Sequence, residues 1–319
     1  MTTSSAYLVT GGCGFIGSHL VEALAAEGHE VRVFDNLSSG RAENLAAARG
    51  RVELILGDVR HPDQLAPAMA GVAGVFHEAA LVSVAESVER PRENYEINVM
   101  GTVNVLEAAR AAGVRRVVFA STAAVYGNAP ELPKREDMRP APESPYAAAK
   151  LAAEHVLAVH ARLYGLETVS LRYFNVYGPR QDPSSPYSGV ISRFVEAMRR
   201  GEAPRVFGDG RQTRDFVFVR DVVGANLAAM RSPRVGRGET VNVGTGRRTS
   251  LIELLDALAA AAGCGVRPEF GPPRPGDVRD SVADISAARE LLGYEPSVSL
   301  AEGLAALWAH AGSLGRRER

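Results

Sequence analysis

Along the first 175 residues, short apolar runs alternate with longer stretches in which apolar side chains recur every three or four positions. The runs "AYLVT", "HEVRVFD", "VELILGD", "GVFHEA" and "RRVVFAS" are each bounded by glycine, aspartate or small residues, which is the pattern of short buried strands. Between them, "FIGSHLVEALAAEG" and "NYEINVMGTVNVLEAARAAG" have helical periodicity and stop at glycine. "YAAAKLAAEHVLAVHARLYG" predicts another long helix, and "ETVSLRYFN" the strand after it. Strands alternating with helices predict an α/β fold, a doubly wound parallel sheet covered on both faces.

Beyond Asn175 the alternation loosens. "GPRQDPSSPYSG" and "EFGPPRPGD" read as loops, with helical patterns in "VISRFVEAMRRG", "SLIELLDALAAAAG" and "SAARELLGY". The expected organisation is a larger lobe over residues 1–175, to which the chain returns at about 215–245 through "RDFVFVRDVVGANLAAM". Residues 176–214 and 246–319 would form a smaller α/β lobe, with the tail "GSLGRRER" frayed.

Composition narrows the partners. The net charge of −1 gives no electrostatic case for nucleic acid or an anionic membrane surface. No apolar run is long enough to span a bilayer, and the N-terminus lacks the pattern of a signal peptide. Two cysteines, Cys13 and Cys264, cannot build a disulfide framework, so the expected address is the cytoplasm. Of 36 basic residues only Lys134 and Lys150 are lysines. An ammonium can be tuned by its surroundings where a guanidinium stays charged, so the place of Lys150 bears on chemistry.

"YLVTGGCGFIGSHL" sets a glycine-rich turn between a strand and a helix. Gly11 permits the tight turn, Gly14 lets a pyrophosphate approach the backbone, and Gly17 allows the helix to pack on the strand. Asp35 follows 18 residues after Gly17 at the end of the next strand, where a carboxylate can hold both ribose hydroxyls and repel a 2′-phosphate. Asp58 is placed to meet an adenine ring. These features predict a Rossmann-like lobe binding NAD in preference to NADP.

A second constellation lies further on. In "FASTAAVYG" the hydroxyls of Ser121 and Thr122 stand at the carboxyl end of a strand. Tyr146 and Lys150, four residues apart and so on one helix face, follow 24 residues after Thr122. A free phenol ionises near pH ~10, too high for an effective base. A neighbouring ammonium and a positive nicotinamide ring would both favour the phenolate. Tyr146 is therefore the expected general base, with Thr122 binding the reacting oxygen and relaying its proton.

The stretches "TGGCGFIG", "DNLSSG", "ASTAAVYG", "SPYAAAK" and "RYFNVYGPRQDP" together resemble the extended short-chain dehydrogenase/reductases, and among them the nucleotide-sugar 4-epimerases. The resemblance implies a tightly held, recycled NAD, oxidation of a UDP-hexose to a 4-keto sugar, and return of the hydride to the other face. It implies that Lys150 tunes Tyr146 and holds the nicotinamide ribose, with Tyr173 near the nicotinamide. It adds Phe15, Ile16, Asn36, Val59, Ala79, Ala80, Asn98 and Ser121 to the cofactor set. For substrate it implies Phe207 against uracil, Arg214 and Arg274 on the diphosphate, and Asn175 on diphosphate or sugar, with Ser83, Thr122, Val190, Asp277 and Ser281 completing the site. Ser83 and Asn98 could each reach the cofactor or the substrate region. A homodimer is implied too, through the helices over 99–112 and around Tyr146.

Three local details refine this. The 4,6-dehydratases of the superfamily carry Asp-Glu after the catalytic threonine, whereas this chain has Ala123 and Ala124, leaving hydride return as the expected chemistry. Ser281 is small where glucose-restricted relatives are bulky, so both UDP-Glc/Gal and UDP-GlcNAc/GalNAc are expected substrates. Some relatives have lysine where "EAALVSV" places Val82. His77 beside Glu78 lacks a third ligand at suitable spacing, and no metal is expected. The alternatives are a UDP-glucuronate 4-epimerase or another NAD-dependent nucleotide-sugar modifier, and, outside catalysis, an NAD-binding scaffold.

Overall fold

The structure, a computed structural model, describes residues 5–182, 189–273 and 279–314. Thirteen strands are described: β1 (Ala6–Thr10), β2 (Glu30–Asp35), β3 (Val52–Leu56), β4 (Gly74–His77), β5 (Arg116–Thr122), β6 (Glu167–Tyr173), β7 (Asn175–Tyr177), β8 (Arg205–Phe207), β9 (Thr213–Arg214), β10 (Phe216–Phe218), β11 (Arg237–Val243), β12 (Thr249–Ser250) and β13 (Glu269–Gly271). The α-helices are α1 (Phe15–Ala26), α2 (Pro62–Met69), α3 (Val84–Glu89), α4 (Pro91–Tyr95), α5 (Gly101–Ala111), α6 (Pro145–Tyr164), α7 (Val190–Arg199), α8 (Val219–Arg231), α9 (Leu251–Ala262), α10 (Ser286–Leu292) and α11 (Leu300–Leu314).

Seven strands form one parallel sheet in the order β11-β6-β5-β4-β1-β2-β3. The chain winds outward from β1 to β3, then restarts at β4 on the other side of β1. Ligands of such sheets bind at the carboxyl ends of the strands beside this reversal. Thr10, Asp35, His77, Thr122 and Tyr173 are the last residues of β1, β2, β4, β5 and β6. The fold therefore gathers them at one edge.

Strand side chains alternate between two cores. Val9, Val33, Phe76, Val118, Leu171 and Val241 pack with α1 and α8, whereas Leu8, Phe34, Val75, Val117 and Phe119 pack with α2, α5 and α6. That alternation is why the sheet strands are apolar at nearly every position instead of every second one. A third, separate cluster forms around Phe194, Val206, Phe216, Leu254 and Leu304, most of them in the segments expected to make the smaller lobe.

The crossover into β11 is fastened by a charged residue that periodicity alone reads as strand. Arg116 is 2% exposed and donates to the carbonyls of Ala229, Met230, Ser232 and Val235 and to Glu167 at 2.6–3.0 Å. It satisfies carbonyls that the end of α8 leaves without partners in its own helix.

Three elements differ from the pattern reading. The helical run over 94–113 begins earlier, at Pro91, and carries a π-helical turn at Glu96–Met100. "EFGPPRPGD" opens as β13, which pairs with β8. Residues 300–314 form α11, so the first residues of the expected frayed tail are helical; Leu304 and Leu307 pack against the second core.

Candidate active site

The glycine turn is sterically enforced. Gly11 has φ +67°, and a Cβ there would lie 2.7 Å from the Ala79 nitrogen. A Cβ on Gly17 would meet the Gly11 carbonyl at 2.3 Å. Gly14 caps α1 without any side chain, so nothing of its own covers the helix's first N–H groups. The result is a backbone cradle with positive helix polarity, suited to a pyrophosphate. Asp35 beside it accepts the amides of Cys13 (2.9 Å) and Leu37 (2.8 Å), one on each carboxylate oxygen, which leaves a lone pair on each for a ribose hydroxyl. Phe15 and Ile16 begin α1 and lean on the second-lobe core. Cys13 is buried, and burial with the Asp35 charge pushes its thiol up to about 12, so it is inert.

Asp58, which the sequence places to meet an adenine ring, already has partners within the protein. It accepts the backbone, Nε and Nη2 groups of Arg60 and the amide of Asn36. Four donors occupy the carboxylate's acceptor positions, and the bonds from Arg60 hold its pKa far below the ordinary value. An adenine amino group would have to replace one of them. Val59 is buried, and its carbonyl accepts from Asn104.

The end of β4 is similarly tied down. Buried His77 lies between the hydroxyls of Thr10 (2.7 Å) and Thr102 (3.0 Å) and packs on Phe119. Burial and the nearby Lys150 charge push it down to about 3, leaving a neutral imidazole that braces β1 against α5. Ala79 donates to Thr10 Oγ1. Asn98, inside the π-helical turn, binds both the N–H and C=O of Leu81 and also donates to Asn94. Its side chain therefore shapes the loop carrying Ala79 and Ala80. Ser83 caps α3 by accepting from Glu86, and Val82 is exposed.

The catalytic helix α6 starts with Ser144, whose hydroxyl accepts the Ala147 amide, and with proline at its first position; it stops at Gly165 in the left-handed conformation. This capping sets Tyr146 in the first turn and Lys150 one turn on. The Tyr146 backbone N–H donates to the Ser87 hydroxyl, and the nearby Thr122 hydroxyl favours the Tyr146 phenolate. Thr122 accepts the Ala124 amide at the start of a 3-10 turn. Buried Lys150 donates to the Ala120 carbonyl at 2.8 Å, with its ammonium 4.6 Å from the Phe119 ring centroid.

Burial dominates both titrations. It pushes Lys150 down to about 8 against the attraction of Glu78 and Glu154. It pushes Tyr146 up to about 12, with the Thr122 hydroxyl pulling the other way and the Glu78 charge adding to the rise. The phenol of the protein alone therefore stays protonated at neutral pH, and the positive ring of a bound dinucleotide would favour its ionisation.

Below the pair, Ser121 donates to Glu154 at 2.5 Å, and Glu154 forms a bidentate ion pair with Arg172 at 2.9 and 2.7 Å. The Ser121 hydroxyl is therefore turned into this buried pair. Arg172 also lies over the Tyr126 ring. Tyr173 donates to Glu78 at 2.9 Å and accepts from Asn226 at 2.7 Å.

On the second lobe, β9 brings Arg214 beside the chain at 279–281. Arg214 donates to the Thr213 and Arg279 carbonyls, and the Ser281 amide donates to Thr213. Phe207 is half-buried at the end of β8 under Arg205, 5.3 Å from its guanidinium. Asn175 is exposed at the start of β7, its amide donating to Asp215. Val190 opens α7. Arg274 and Asp277 lie outside the described residues. Among the described residues no three His, Cys, Asp or Glu side chains are grouped to hold a metal ion.

A dinucleotide cradle facing a Thr-Tyr-Lys set is the site of an NAD(P)-dependent enzyme that oxidises or reduces a carbon bearing oxygen. Residues 7–244 match the model of the NAD dependent epimerase/dehydratase family, and the chain belongs to that family. It is 48% identical over 307 residues to UDP-glucose 4-epimerase of Mycolicibacterium smegmatis, covering 93% of this chain and 96% of that one. The structure is similar to that of UDP-N-acetylglucosamine 4-epimerase from Methanobrevibacter ruminantium in complex with UDP-N-acetylmuramic acid, with TM-score 0.93, 36% identity, and 98% and 99% of the two chains covered. It is also similar to the Thermus thermophilus UDP-glucose 4-epimerase complex with NAD, with TM-score 0.87, 42% identity, and 96% and 98% covered.

Sequence reasoning passed over Glu78 as a site residue, and did not single out Glu154, Arg172 or Asn226. Glu154 continues the Tyr146–Lys150 face by one more turn, a spacing that could have flagged it. Nothing local marks Asn226, which reaches the site only through Tyr173.

Proposed function

We propose that the protein is an NAD-dependent UDP-hexose 4-epimerase, acting on UDP-Glc/UDP-Gal and on UDP-GlcNAc/UDP-GalNAc. The observation that carries this is the placing of Thr122 at the end of β5 and of Tyr146 and Lys150 in the first turns of α6, with Thr122 followed by Ala123 and Ala124, which supply neither acid nor base. The cradle of Gly11, Gly14 and Gly17 with Asp35 fits NAD. Bound there, NAD supplies the acceptor for a hydride from C4 and its return to the opposite face. Tyr146 takes the proton of the 4-hydroxyl and later restores it, Thr122 holds that oxygen, and buried Lys150 holds a positive charge beside the phenol. Arg214 suits the diphosphate through its fork of donors, and Phe207 offers an aromatic face to the uracil. Ser281, adjoining Arg214, leaves space for an N-acetyl group.

The test is incubation with UDP-glucose, UDP-N-acetylglucosamine and UDP-glucuronate separately, without added NAD, followed by chromatography of the nucleotide sugars. A C4 epimer without net NADH is expected from the first two. A 4-keto or decarboxylated product would overturn the reading, and turnover of UDP-glucuronate alone would move it to that substrate.

The working unit is proposed to be a homodimer. Val88, Tyr95, Met100, Val159, Leu163 and Tyr164 are exposed apolar or aromatic residues on α3, α4, the π-helical turn and α6, a stripe that a second copy would cover. Leu163→Glu should halve the mass seen by light scattering. Free Cys13 and Cys264 fit a reducing cytoplasm, and no described helix is long and apolar enough to cross a membrane.

A further inference from the structure

A hydrogen-bond chain crosses three elements to end on a carboxylate at the catalytic pair. Asn226 in α8 donates from Nδ2 both to the carbonyl of Val222 (2.9 Å) and to the hydroxyl of Tyr173 at the end of β6 (2.7 Å). A carbonyl only accepts, so the Val222 contact fixes which end of the amide faces Tyr173. The Tyr173 oxygen accepts there, and its one proton points to Glu78 Oε1 at 2.9 Å. Glu78 follows β4 directly, its amide donating to the Thr10 carbonyl. Its neighbour His77 packs on Phe119, over whose ring the Lys150 ammonium sits at 4.6 Å, and its partner Tyr173 stands in register with Thr122, which brings the carboxylate beside the catalytic pair.

We propose that Glu78 is a positioning residue that sets the charge state of the catalytic pair. Held by the Asn226–Tyr173 chain, its carboxylate stabilises the Lys150 ammonium when ionised and opposes the Tyr146 phenolate; when protonated it releases both. This rests on the epimerase reading only for the meaning of the pair, since the charge relation itself needs no substrate.

The groups facing Glu78 can be named by element. On α6 they are Tyr146 and Lys150, with Glu154 a turn beyond. On β6 the group is Tyr173, whose phenol burial and Glu78 itself raise well above its ordinary value, so that it stays a donor. On β4 itself the neighbour is His77, neutral between its two threonines. The α8 member, Asn226, does not titrate. Burial pushes Glu78 up to about 7, against the Tyr173 bond and the attraction of Lys150. Its charge therefore changes in the range where the enzyme works, and titrations of neighbouring groups in such a site are linked.

The test compares Glu78→Gln, whose amide oxygen still accepts from Tyr173, with Tyr173→Phe, which removes the donor. Each is measured in purified NAD-loaded protein by ultraviolet tyrosinate titration, with the same background carrying Tyr146→Phe subtracted, and by the pH profile of kcat. Removing the charge should lower the Tyr146 midpoint, and with it the acid limb of the profile, by about one pH unit. Loss of ammonium stabilisation should bring the basic limb down as well. Tyr173→Phe lets Glu78 hold its proton to higher pH, so the midpoint should move the same way by less. An unmoved Tyr146 midpoint in Glu78→Gln overturns the proposal, whether or not activity or thermal stability falls. Should that variant not fold, an unmoved midpoint in Tyr173→Phe overturns it equally. The tyrosinate reading is taken without sugar, so it stands or fails apart from the question of which sugar is turned over.

Discussion

At the cofactor end of the cleft, nearly every polar group meets a partner from another element: Asp35 with the Cys13 amide, Asp58 with Arg60 and Asn36, His77 with two threonines, Asn98 with both sides of Leu81. At the nucleotide-sugar end the elements are shorter. Strands of two or three residues carry Arg214 and Phe207, and Arg214 donates to the main-chain carbonyls of Thr213 and Arg279. The difference separates two demands. Hydride and proton transfer need atoms held in one geometry, which dense buried hydrogen bonding provides. Recognition of one sugar over another needs shape and charge that can change without disturbing that geometry.

Substitutions at the two ends should therefore fail in different ways. Tyr146→Phe should lower kcat by ~10³-fold while the protein still releases NAD on denaturation, since it removes the proton acceptor and leaves the cradle. Retained turnover would place the base elsewhere. Arg172→Met should destabilise the fold by about 3 kcal/mol, because it strands the buried Glu154 carboxylate; Arg172→Met with Glu154→Leu should recover part of that loss in denaturant titrations.

The second lobe should respond through binding. Arg214→Ala is expected to raise KM for the UDP-sugar by ~10-fold with kcat changed much less, because the guanidinium binds a part of the substrate that does not react. A fall in kcat with KM unchanged would break the contrast between the ends. The most selective effect belongs to Ser281→Tyr, which should abolish turnover of UDP-GlcNAc and leave that of UDP-Glc within about a few-fold. Equal loss on both sugars would show that the serine does not line the sugar pocket.

How legible each part was follows from the range of the interactions involved. The glycine turn, Asp35 and the Tyr146–Lys150 spacing are local, so their geometry could be read from residue order and helix period. The π-helical turn at Glu96–Met100 and the pairing of β13 with β8 could not, because each depends on a neighbour distant in the chain. The same holds for the Asp58 carboxylate. Its position at a strand end was legible, but Arg60, two residues on, and Asn36 from the adjoining strand tip take up its acceptors. The rise of the Tyr146 phenol in the protein without cofactor was not legible either, because burial is a property of the packed site.

The sequence by itself determined the α/β alternation, the backbone cradle and the placing of Tyr146 and Lys150 on one face of α6, since turns, caps and helix faces are decided within a few residues. The tertiary structure alone decided that Arg116 closes α8, that Ser121 faces the Glu154–Arg172 pair, and that Glu78 is tied to α8 through Tyr173 and Asn226. Those contacts link residues 33 to 113 positions apart. They form only because the parallel sheet brings the ends of separate strands to one edge, where burial then sets the charge each group carries.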